Sequence, residues 1–132
     1  MAGLANPVLT LTQDRAAKTV LAVATCRILF NPIELTAMQQ GTLQFMFRAK
    51  LIAADLPPFG PADDLFTFTP PKIYPDATPN GVEEARFEAT LGEEVLDEDY
   101  ISRDEVFARF ELTNLSTGIA LRRNSPQVSG RF

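Results

Sequence analysis

The sequence has no histidine, no tryptophan and a single cysteine. Without histidine, neither a Ser-His-Asp nor a Cys-His relay can be assembled, and His-ligated zinc or iron is excluded as well. With Cys26 alone, an internal disulfide and a cysteine-rich metal site are both impossible. Cys26 stands mid-way along an apolar segment, Val20-Leu-Ala-Val-Ala-Thr-Cys26, and reads as a small buried hydrophobe. Positive charge is scarce too. Twelve Lys and Arg face seventeen Asp and Glu, a net charge of -5. That balance argues against nucleic acid, because phosphate backbones are bound by basic surfaces. It also argues against an unaided anionic membrane. Long apolar runs are missing: none approaches the roughly 20 residues of a transmembrane helix. Arg15 and Lys18 precede the apolar run before Cys26, as in a lipoprotein signal. The stretch Thr19–Ala24 is too short for a signal core, and Thr25 is large for the position before a lipidated cysteine. The expectation is a cytoplasmic protein without a signal peptide.

What is present points to strands. A chain of 132 residues is expected to form one domain over 1–132, long enough to bury a core without staples. Its 45% hydrophobic and 22% charged residues are ordinary for a globular domain. Ten prolines and seven glycines punctuate it, as short strands between turns require. Period-two alternation dominates. Pro7–Thr12 reads as a short strand. Thr19–Phe30 is a long one with Val20, Ala22, Ala24, Cys26, Ile28 and Phe30 on one face. Its other face carries Leu21, Val23 and Leu29, so this strand is apolar on both sides and should be central or covered.

Asn31-Pro-Ile-Glu34 supplies an N-cap, a first-turn proline and a capping-box acid. A short helical turn through Met38, closed by Gly41, is predicted there. Thr42–Ala54 alternates cleanly, with Phe45, Phe47 and Leu51 inward. Leu65–Thr69 is short. The Pro-rich segment 70–81 reads as surface loop. Val82–Leu91 turns Phe87 and Leu91 inward, and Glu105–Thr113 does so with Val106, Phe110 and Leu112. Ile119–Arg122 and Gln127–Phe132 complete the chain. Seven or eight strands at this spacing predict an all-β fold, a single antiparallel β-sandwich with at most one or two short helical turns.

Two segments concentrate carboxylates: 55–64, with Asp55, Asp63 and Asp64, and 93–105, with Glu93, Glu94, Asp97, Glu98, Asp99, Asp104 and Glu105. Calcium takes about six to eight oxygen ligands. Alternate residues such as Asp97 and Asp99 project the same way from an extended chain, so both can reach one ion. If the fold brings the two segments to one end, they form a hard-cation site; if not, they are solvated loops. The stretches LIAADLPPFGPADDLF and VLDEDYISRDEVFARFEL resemble the first and third calcium loops of the C2 domain family. That family is an eight-stranded sandwich of about this length whose calcium-dependent members dock on phospholipid. The resemblance implies Asp63 or Asp64, Asp97, Asp99 and Asp104 as ligands of Ca2+.

Apolar residues also fall on faces expected to point outward: Met46, Ile52, Phe107 and Leu121, with the second face of Thr19–Phe30. Clustered, they mark an interface, with Phe107 between charged neighbours as its anchor. The alternative is cover from a second sheet of the same chain. The sequence therefore predicts a non-enzymatic structural or interaction module without a cofactor, partnered by itself or another protein subunit. The alternative is a calcium-dependent, C2-like membrane or ligand binder.

Overall fold

A computed structural model describes residues 2–53, 63–93 and 104–130. Two antiparallel sheets face each other. The first consists of β1 (Gly3–Asp14), β2 (Thr19–Leu29) and β6 (Val82–Gly92), with β2 in the centre. The second has the order β4 (Asp63–Thr67), β3 (Phe45–Ala53), β7 (Asp104–Asn114), β8 (Ala120–Asn124). Two three-residue strands extend its edges: β5 (Lys72–Tyr74) on β3 and β9 (Val128–Gly130) on β7. The expected β-sandwich is therefore the observed fold, with nine strands among the described residues.

The alternation of the sequence fixes the faces. Val20, Ala22, Ala24, Cys26 and Ile28 of β2 are each 0–1% exposed and join one cluster with Phe45, Phe47, Phe87, Val106, Phe110 and Leu112. Small residues on β2 face the same core as large rings from the other sheet, which is how interdigitating layers reach interior density. Phe47 stacks on Phe110 at 5.7 Å between centroids and meets Phe87 at 5.8 Å. Burying one such ring contributes roughly 1.5–3 kcal/mol.

One helix, α1 (Pro32–Gln39), carries the chain from the first sheet to the second. Asn31 Oδ1 accepts from the Glu34 backbone N–H at 2.8 Å, and Glu34 Oε1 accepts from the Asn31 N–H at 2.9 Å. This is the predicted capping box. Gly41 follows the helix at φ +75°, the left-handed region that glycine enters without strain. Met38 anchors the helix to the core.

Three expectations need revision. The first strand runs from Gly3 rather than Pro7, because an irregularity between Ala5 and Val8 absorbs Pro7 and the positive φ of Asn6. The Pro-rich segment is not loop throughout: Lys72–Tyr74 pairs with Phe45–Phe47, and Tyr74 is buried against Phe30. Leu121 lies opposite Leu112 and packs against the core, so it does not point outward as expected.

Candidate functional site

Each of the two sheets keeps one face turned away from the core. On the first sheet that face is built around Leu21, Val23 and Thr25 of β2, all partly exposed. On β1 they lie opposite Thr12, Thr10 and Val8, and on β6 opposite Thr90, Glu88 and Arg86. At one end Leu29 lies opposite Val82. Val8, Leu29 and Val82 are 45%, 39% and 47% exposed. The ion pair Arg86–Glu88 at 2.9 Å flanks Leu21 and Val23 on the β6 side, and the pair Arg27–Glu84 at 2.6 Å crosses the face between Thr25 and Leu29. No further layer covers this face among the described residues.

The outer face of the second sheet is different. Arg48, Glu111 and Arg122 stand in one cross-strand row, and Lys50, Arg109 and Asn124 in the next. Glu111 accepts from Arg48 at 2.8 Å and from Arg122 at 2.6 Å. The Arg122 hydrogen bond holds its carboxyl below the usual range; partial burial opposes this, and Arg48 adds to it. Lys50 pairs with Asp64 at 3.2 Å. Arg109 donates to Asn124 and lies over the Phe107 ring, 5.6 Å from its centroid. Arg48, Lys50, Asp64, Arg109, Glu111 and Arg122 line an open concavity of about 260 Å³.

The residues expected to bind a cation are only partly placed. Asp97 and Asp99 lie outside the described residues, as does Asp55. Asp63 begins β4 and Asp104 begins β7. Ala53 pairs with both Asp63 and Val106, so these strand ends sit at one end of the sandwich. Two interstrand spacings separate β4 from β7, roughly 10 Å. Among the described residues, no group of three or more His, Cys, Asp or Glu could hold a metal ion.

Of the residues expected to form an interface, Ile52 and Phe107 do lie opposite each other on the outer side of the second sheet. They are only 1% and 7% exposed, however, so Phe107 is not the exposed anchor that its charged neighbours suggested. Met46 is partly exposed, pairs with Ile73 and Thr113, and is remote in register from Ile52. Leu121 belongs to the core side. These four do not form one exposed patch.

Two features had little sequence signal. Ser125 is buried; its Oγ accepts from the Ala108 N–H at 2.8 Å, and its own N–H donates to the Ala108 carbonyl at 2.8 Å. A serine beside a proline carries no mark of that role. The row of cations is also invisible until β3, β7 and β8 are set side by side. Cys26 behaves as expected: burial pushes its thiol up to about 11, and it donates to the Ala5 carbonyl.

No protein-family model and no curated protein matches the chain. Among solved structures, it is similar to the X-ray structure of Northeast Structural Genomics Consortium target SoR45. The TM-score is 0.45 at 8% identity, over 97% of this chain and 84% of that one.

Proposed function

We propose that this protein is a non-enzymatic interaction module, a subunit of a homo-oligomer that self-associates through the outer face of β1, β2 and β6. The observation that carries this reading is the outer face on which Leu21, Val23 and Val8 lie together and Leu29 and Val82 follow beyond the Arg27–Glu84 pair, with no layer above it among the described residues. Singly exposed hydrophobes are ordinary, but contiguous ones mark contact surfaces. The Arg86–Glu88 pair beside Leu21 and Val23 and the Arg27–Glu84 pair across the face suit an interface that mixes apolar contact with polar groups. Two copies related by a two-fold axis would bury the same stripe on each. The reading takes the protein as cytoplasmic; among the described residues no helix is long and apolar enough to cross a membrane.

Sedimentation velocity at tens of micromolar tests it. The expected species is larger than 14.5 kDa. Leu21→Asp with Val23→Asp should give a monomer with an unchanged far-ultraviolet dichroism spectrum, since both side chains point away from the core. A monomeric parent protein would end the self-association reading.

A second reading is a calcium-dependent binding domain. It is favoured by the common end at which β3 stops and β4 and β7 begin, next to the acidic segments 55–64 and 93–105. Calcium should then raise the melting temperature, and magnesium less so, because it dehydrates reluctantly. Asp97→Asn with Asp99→Asn should remove the shift. An unmoved melting curve in millimolar calcium would discard this reading.

A further inference from the structure

Lys50 and Arg109 occupy directly opposed positions on neighbouring strands. Like charges so placed repel and weaken a sheet. The described surroundings do not cancel them. Among the described residues, four cations, Arg48, Lys50, Arg109 and Arg122, line the concavity against two carboxylates, Asp64 and Glu111. Glu111 is shared between Arg48 and Arg122, and Asp64 is engaged by Lys50. Arg109 has only the neutral Asn124 and the Phe107 ring among the described residues. The cluster is therefore positive, on a chain whose net charge is -5.

We infer that this concavity on β3, β7 and β8 is a binding site for a phosphate-bearing ligand. Planar guanidinium groups match the oxygens of phosphate in paired hydrogen bonds, and Lys50 adds a point charge. Glu111 has a positioning role: its two short bonds fix the forks of Arg48 and Arg122, and its own charge is already spent on them. The size fits the chemistry. A cavity of about 260 Å³ falls below the range of roughly 300–1,000 Å³ for drug-sized ligands, and so suits one or two phosphate groups. A ligand seated here would also relieve the Lys50–Arg109 repulsion. The site lies on the opposite sheet from the self-association face and does not depend on that reading.

The test has two arms, because the phosphate can be free or carried on a lipid. In one arm, inorganic pyrophosphate is titrated at low salt against the protein labelled for amide resonances. In the other, vesicles of phosphatidylcholine doped with phosphatidic acid are tested for co-sedimentation. Pyrophosphate should move the amides of Lys50, Arg109 and Arg122 and raise the melting temperature. Lys50→Gln with Arg109→Gln should lower the affinity at least about tenfold, the loss expected for removing two charge-assisted contacts. Arg15→Gln, in the exposed turn after β1, should leave it unchanged. A response in either arm that the double variant removes supports the site, and the responding arm names the source. Silence in both arms, or a response that the double variant retains, overturns it.

Discussion

Glu111 couples the second sheet to pH. Its carboxyl is 18% exposed and held between two guanidiniums, chiefly by Arg122. Its folded pKa is depressed, so the stabilisation is present above the unfolded value of about 4.3 and is lost as pH falls through the folded value. The arginines are more exposed, at 41% and 67%, which limits what the pairs contribute. Glu111→Gln should cost on the order of 1 kcal/mol at neutral pH. Urea unfolding at neutral pH and at about pH 3 checks the sign: the variant and the parent should converge in acid. A gap that stays constant would mean that Glu111 acts through packing alone. Phe110 is fully buried and stacked on Phe47. Phe110→Ala should destabilise the fold by about 3–5 kcal/mol, and a loss below about 1 kcal/mol would contradict the observed packing. The buried thiol of Cys26, raised to about 11, should resist alkylation until the protein unfolds.

At the scale of elements, the helix was readable because its start is written in local chemistry. Asn31, Pro32 and Glu34 occupy the positions that satisfy orphan N–H groups, and no long-range partner is needed. Asn31→Ala should therefore cost about 1 kcal/mol, measurable by chemical unfolding; a neutral result would mean that the core packing of Leu35 and Met38 suffices to hold the helix. The short strands were not readable for the opposite reason. β5 and β9 exist only because β3 and β7 extend beyond β4 and β8 and leave backbone groups to be paired. Along both edges the break falls at prolines, Pro70-Pro71 on one and Pro126 on the other. One backbone bond continues the ladder at each break, Phe68 N–H to Ala49 and Ser125 N–H to Ala108. Interrupted edges of this kind resist pairing with other chains. The face of each long strand was readable from its period. Phe107 shows the limit: its alternation assigns it correctly to the outer side, but burial depends on what crosses that side.

For the whole molecule, the sequence reveals which residues face inward but not which sheet receives each strand. The partners of β2 are β1, which ends at Asp14, and β6, which begins at Val82, and only their assembly separates an outer face that carries apolar residues from one cationic outer face. The two faces should answer salt in opposite ways. Exposed charges are screened over about 10 Å at 0.1 M salt, so oxyanion binding at Arg48, Lys50, Arg109 and Arg122 should weaken steadily as salt rises. Association through Leu21 and Val23 removes apolar area from water, which salt does not oppose. Two copies each carrying -5 also repel, and screening relieves that repulsion. Self-association should thus hold or strengthen between about 0.05 and 0.5 M sodium chloride, while pyrophosphate affinity falls. Sedimentation and titration on the same samples separate the two effects. Association that collapses with rising salt would place the interface on charged side chains and away from the stripe on β2.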